Sequence, residues 1–288
     1  MRNAWTRLGA VTLGLLAVFG AAAQDKVSVE KVHFKVADAF ERDAAVVGEL
    51  HVPDSKGDRL PVVMIVNSAP GFDGRSAFYA EELNRAGIAT LELDFMQGRG
   101  MPASPRQHMA HAYETLRYLS ADPRIDGARV GIMGFSWGGM IALLTSSAEL
   151  TRKYTGDRLQ FAAHLGVYPI CWRHELVLQG KDKYLGPAIY QRVTGRPVHI
   201  LAGDKDDYDD PDSCDKFLNA LPPEARRHFS LTTYAGATFG WDSRFSSDSW
   251  AAGAHKNKGG IVHIVADGEF AKRSREFVVG YFRRSLAP

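Results

Sequence analysis

Eight runs along the chain carry the apolar content and short length of strands: Val27 to Val36, Ala45 to Val52, Val62 to Asn67, Ile88 to Phe95, Arg129 to Phe135, Phe161 to Tyr168, Val198 to Ala202 and His228 to Tyr234. Several alternate apolar with polar positions, and others are continuously apolar, as fully buried strands are. Between the later runs the apolar spacing turns helical, over Arg75 to Ala86, Pro105 to Ser120, Gly139 to Glu149, Pro211 to Leu221 and Gly268 to Ser285. From residue 61 onward strand and helix alternate. This pattern predicts an α/β fold with a mostly parallel eight-stranded sheet and helices on both faces, its two leading strands forming an antiparallel edge. Ligands of such sheets bind beyond the carboxyl ends of the strands. Ser136 and the segments Asn67 to Gly74, Gln97 to Pro102 and Asp204 to Asp212 are therefore expected to share one rim.

The first 23 residues stand apart from this pattern. Arg2 and Arg7 precede an apolar stretch from Leu8 to Gly20, and Ala21-Ala22-Ala23 offers small residues for cleavage. That arrangement reads as a secretory signal peptide cut after Ala23 rather than a membrane anchor. Removing it from 288 residues leaves 265, enough for one large core, and residues 24–288 are expected to form a single α/β domain. Loss of Arg2 and Arg7 takes the 35 basic residues to 33, matching the 33 acidic ones, so no basic face points to nucleic acid. The expected location is periplasmic or secreted. An oxidising compartment suits pairing of the two cysteines, Cys171 and Cys214, although two separate thiols fit the sequence as well.

The chemistry concentrates at Gly134-Phe135-Ser136-Trp137-Gly138-Gly139, which follows an apolar strand and opens an apolar helical run. A glycine-rich turn without chemistry has the same composition, but the strand before and the helix after favour a nucleophile elbow of the form G-x-S-x-G. Small neighbours allow the tight turn that exposes the serine hydroxyl, and the Trp137 N–H at the helix start is placed to receive an oxyanion. A serine hydroxyl needs a base to take its proton, and the base needs an acid to orient it. In α/β hydrolases these follow in the order serine, acid, histidine. Gly203-Asp204-Lys205-Asp206-Asp207-Tyr208 follows a strand and supplies carboxylates at the required edge, with a solvated acidic loop as the alternative.

Together these features resemble the dienelactone hydrolase family of α/β hydrolases, over most of the chain from about Val46 to the terminal helix. The matching motifs are Asn67-Ser68-Ala69-Pro70-Gly71, Arg99-Gly100, the elbow at Ser136, Tyr168-Pro169 and the acidic loop. The resemblance implies Asp206 as the acid, with Asp204 and Asp207 as lesser choices, and the Ala69 N–H as second oxyanion donor. It also implies an ester or lactone substrate. Where the family has its catalytic histidine, after a tyrosine and a glycine-containing turn, this chain reads Tyr234-Ala235-Gly236-Ala237-Thr238-Phe239-Gly240-Trp241-Asp242. Phe239 stands in the histidine's place, and phenylalanine accepts no proton.

Ten histidines remain as substitutes. His33, His51, His164 and His199 fall in strands, and His228 at the wrong end of one. His108 and His111 share a helical spacing that binds metals, but no third ligand lies nearby in sequence, so no metal site is expected. Between the acid and the terminal helix lie His255 and His263; His255, in the stretch Ala251 to Gly260, is the candidate substitute base. Phe72, Trp137, Phe239 and Trp241 are candidate apolar rim residues, and Arg75 and Arg99 candidate charges. No glycine pattern for a nucleotide occurs in a strand-turn-helix context, and no cofactor is expected. The sequence thus points to an exported serine hydrolase acting on a carboxylic ester or lactone; the alternative is a non-catalytic relative that binds a small ligand or a protein partner.

Overall fold

The computed structural model describes residues 27–36, 45–68, 71–95 and 105–288. The expected signal peptide, the Gln97 to Pro102 segment with Arg99, and Ala69 lie outside the described residues. Within them the order is β1 (Val27–Lys35), β2 (Ala45–Pro53), β3 (Leu60–Val66), α1 (Arg75–Arg85), β4 (Ala89–Leu93), α2 (Arg106–Ala121), β5 (Ile125–Phe135), α3 (Trp137–Leu144) and α4 (Ala148–Thr155). It continues with β6 (Ala163–Val167), α5 (Cys171–Leu178), β7 (Val198–Lys205), α6 (Ser213–Ala220), α7 (Pro223–Arg226), β8 (Phe229–Thr238), β9 (Ser247–Ala251), α8 (Ala254–Asn257), β10 (Gly260–Ile264) and α9 (Gly268–Ser285).

Eight strands form one sheet in the order β1-β2-β4-β3-β5-β6-β7-β8. β2 pairs antiparallel with both β1 and β4, and every pair from β4 through β8 is parallel. This is the mostly parallel eight-stranded sheet with an antiparallel edge expected from the alternation of strands and helices. A strand covered on both faces must be apolar throughout, and β3 shows how: Val62, Met64 and Val66 enter the core beneath α2 and α3, while Val63 and Ile65 join Tyr79 of α1 and Val278 and Phe282 of α9 on the opposite face.

Two departures from the periodicity bear on the site. The helical run from Gly139 to Glu149 is two helices, because Thr145, Ser146 and Ser147 bond back to the last turn of α3 and the Ser147 hydroxyl accepts the Leu150 N–H to begin α4. After β8 the chain adds the two-stranded β9–β10 sheet, placing His263 in an ordered strand. Cys171, the first residue of α5, is joined by a disulfide to Cys214 of α6, with Cα atoms 4.9 Å apart. Closing a loop over a sequence separation of 43 stabilises by about 4 kcal/mol in the chain-entropy account. The bridge ties together two helices that flank the acidic loop.

Candidate active site

β5 runs directly into the Ser136 turn. Ser136 has φ 51° and ψ −115°, outside the ordinary regions for an L-residue, at a cost of order 1–3 kcal/mol that the surroundings must impose. Its N–H donates to the Val167 carbonyl of β6 at 2.9 Å, and its own carbonyl accepts from Met140 N–H at 2.9 Å. The flanking glycines are required by space: a Cβ on Gly134 would lie 2.3 Å from the Gly138 carbonyl carbon, and one on Gly138 would lie 2.1 Å from the Val66 carbonyl oxygen. Ser136 is partly exposed among fully buried neighbours. Trp137 opens α3, so its N–H belongs to the first turn, where amides have no acceptor within the helix and the helix dipole favours negative charge. The Trp137 indole is pinned by donating to His108 Nδ1 at 2.9 Å, and burial pushes the His108 imidazole down to about 3, keeping it a neutral acceptor.

Asp206 follows β7 on the same rim, yet its surroundings differ from those of a working triad acid. It is buried, and its Oδ1 accepts the Tyr208 and Asp209 N–H groups, each at 3.0 Å. Burial first, then the neighbouring Asp209, pushes its carboxyl up to about 8. Asp209, raised to about 6 by burial, accepts from Trp172 N–H at 3.2 Å. Among the described residues no histidine nitrogen hydrogen-bonds to Asp206. Asp204 instead accepts the Gly236 N–H at 2.6 Å, and Asp207 pairs with His263 Nδ1 at 2.6 Å.

Phe239 comes one residue after β8 and fills the space between two tyrosines. Its ring stacks on Tyr208 of the acidic loop at 4.7 Å and leans on Tyr168, beyond β6, at 4.9 Å. A ring without nitrogens thus packs against Tyr208 of the acidic loop, where it neither accepts a proton nor hydrogen-bonds. His255 lies in α8, where it and Lys256 adopt left-handed backbone with φ 50° and 60°. Its backbone N–H donates to the Tyr208 carbonyl at 2.9 Å, while its Nε2 meets the Ile261 carbonyl at 3.1 Å. The backbone of this segment therefore bonds to the acidic loop, but the imidazole turns to β10. Three further buried histidines are engaged within the core: His164 meets Thr145, His174 meets the Tyr190 hydroxyl and His199 meets Ser230 and Thr232.

The sequence singles out Arg75 but not the cluster it joins. Asp242, fully buried, accepts the Tyr168 hydroxyl at 2.5 Å and the Tyr79 hydroxyl at 2.8 Å. Arg75 Nη1 donates to the same Tyr168 oxygen at 2.8 Å, its Nη2 donates to Ser68 Oγ at 2.7 Å, and it pairs with Asp73. The available signal was the Trp241-Asp242 pair, an acidic residue in an otherwise apolar turn. Trp241 itself is a core residue rather than a rim wall, whereas Phe72 is exposed. Among the described residues no group of three or more His, Cys, Asp or Glu side chains is arranged to hold a metal ion.

Comparison with solved structures finds the same fold. Esterase 2 of Thermogutta terrifontis, phosphorylated by paraoxon, is 17% identical, with 90% of this chain and 96% of that one covered at a TM-score of 0.62. Est1E from Butyrivibrio proteoclasticus is 14% identical, covering 90% and 99% with a TM-score of 0.59. A putative dienelactone hydrolase from Klebsiella pneumoniae subsp. pneumoniae is 17% identical, covering 89% and 99% with a TM-score of 0.61. No curated protein matches the sequence. The sequence model of the dienelactone hydrolase family matches residues 47–259, a span that takes in β3 to β8, the Ser136 elbow, the acidic loop and the Phe239 turn, and the chain belongs to that family of carboxylic-ester hydrolases.

Proposed function

We propose that the protein is an exported serine hydrolase that cleaves a carboxylic ester or lactone through an acyl-enzyme at Ser136. The observation that carries this reading is the strained, partly exposed Ser136 elbow, a conformation with a cost that a scaffold has no need to bear. Ser136 Oγ attacks the carbonyl carbon and its proton passes to solvent water, the Trp137 and Ala69 N–H groups receive the negative oxygen, the leaving group departs as its anion, and a water molecule then hydrolyses the acyl-enzyme to release the acid and restore the Ser136 hydroxyl. Asp206 holds the acid's place and would orient a base that reached it; His255 takes that role only on leaving the Ile261 carbonyl. With Phe239 in the histidine's place, turnover rests on the oxyanion donors and on binding, which alone sustain about 10³ to 10⁴-fold over water. Activated esters, with leaving groups that need no protonation, are the substrates this arrangement suits. Arg2, Arg7 and the alanines before Gln24 support export, and N-terminal sequencing of the secreted form is expected to start at Gln24.

A second reading rests on the ring stack Tyr168–Phe239–Tyr208, which packs the base position as a core is packed. On that reading the protein binds a small ligand or a partner without turnover. Hydrolysis of a p-nitrophenyl ester, lost in Ser136→Ala, separates the two: activity that depends on Ser136 supports the hydrolase, and a parent as inert as Ser136→Ala supports the binding protein.

A further inference from the structure

The polar cluster around Arg75 connects three strand ends of the rim. Asp242 belongs to the turn after β8, Tyr168 follows β6, and Ser68 lies two residues past the end of β3, one position before Ala69. The link is continuous: Asp242 Oδ1 to the Tyr168 hydroxyl at 2.5 Å, that oxygen to Arg75 Nη1 at 2.8 Å, and Arg75 Nη2 to Ser68 Oγ at 2.7 Å. A second arm runs from Asp242 Oδ2 through the Tyr79 hydroxyl to Ser274 Oγ of α9 at 2.7 Å. Buried polar groups stay only where they are paired, and a network so satisfied fixes the elements it joins.

The same side chains enclose the residue before the nucleophile. The Phe135 ring lies 5.8 Å from the Arg75 guanidinium carbon, 5.2 Å from the Tyr79 ring and 6.3 Å from the Tyr168 ring. Val167, whose carbonyl accepts the Ser136 N–H, immediately precedes Tyr168. The Ser68 carbonyl in turn accepts the Gly71 N–H at 2.7 Å. Rotating Ser136 out of its strained conformation therefore requires movement of Phe135 or Val167, and both abut this network.

We propose that Arg75, Tyr168 and Asp242 are positioning residues, which hold the Ser136 elbow and the Ser68 end of β3 in the mutual placement that ester hydrolysis requires. The proposal builds on the hydrolase reading but acts through residues outside the reacting atoms. Misplacement on the scale of 1 Å lowers turnover by about 10²-fold while leaving binding contacts largely in place.

Tyr168→Phe and Ser68→Ala test it. The first keeps the ring against Phe135 and Phe239 and removes only the hydroxyl; the second cuts Arg75 from β3 and leaves Asp242 with both phenols. Each is expected to lower kcat on a p-nitrophenyl ester by about 10 to 100-fold with KM within about threefold, and Ser68→Thr, which restores a hydroxyl, to recover most of the loss. Amide hydrogen exchange over residues 67–74 is expected to quicken by about tenfold in both variants. Unchanged kcat in either variant overturns the proposal, as does unchanged exchange or an equal loss in Ser68→Thr. If the parent hydrolyses no ester, the hydrolase reading fails by itself, and exchange alone decides whether the assembly holds the β3 end.

Discussion

On the β5 side of the rim Ser136 sits strained and partly open above a helix N-terminus, with glycines where no Cβ fits. On the β7–β8 side the Asp206 carboxyl is buried and accepts two backbone amides, and the Phe239 ring packs between those of Tyr168 and Tyr208. The two halves differ because they are built from different material. The elbow is a backbone conformation, welded to β3 and β6 by close contacts, so changing it disturbs the sheet. Phe239 is one side chain on the turn after β8, held by ring contacts with Tyr168 and Tyr208 rather than by backbone geometry. The Ser136 turn is therefore the harder of the two regions to alter without disturbing the fold.

The sharpest way to break this contrast is to return an imidazole to the β8 turn. Phe239→His places an imidazole on the turn that packs against Tyr208 of the acidic loop, and ester hydrolysis is expected to rise by about 10²-fold, part of the roughly 10⁴-fold that one triad member supplies. A rate unchanged within twofold means that the slot no longer leads to Ser136.

A smaller effect follows from the charge state of the acid. The Asp206 carboxyl, raised to about 8 by burial and by Asp209, keeps in the folded protein a proton that the unfolded chain releases above about pH 4. Stability from this group is therefore fully present below about pH 4 and declines as pH rises toward 8. Asp206→Asn retains an oxygen for the Tyr208 and Asp209 amides and is expected to flatten the dependence of Tm on pH between 5 and 8, with a Tm higher than the parent's at pH 8. A parallel, undiminished slope in the variant places the titration elsewhere.

The smallest change is expected at His255. With Nε2 engaged by the Ile261 carbonyl, His255→Ala should leave kcat within about twofold, and a loss of tenfold or more would reinstate it as the base.

The strand pattern, the parallel order and the elbow were legible in the sequence because each follows from local rules: alternation, continuous apolar runs, and glycines around a serine. The acid loop was legible as a position, since Asp206 does follow β7 at the rim. Its protonation was not, because that depends on burial and on the charge of Asp209, which take effect only in the folded chain. The Asp242 network escaped for the same reason: Ser68, Arg75, Tyr79, Tyr168 and Asp242 are dispersed along the chain and meet only when β3, β6 and β8, each one strand apart from the next, take their places in the sheet. The break after α3 was hidden by apolar spacing that continues across Thr145 to Ser147, where hydroxyls bonded to nearby carbonyls end the helix.

The most direct test of the Ser136 chemistry is to treat the intact protein with a fluorophosphonate and locate the adduct by peptide mass spectrometry. The account predicts a single phosphonyl group on Ser136 and none on the Ser136→Ala variant; a parent that stays unmodified, or that carries the group on another side chain, contradicts it.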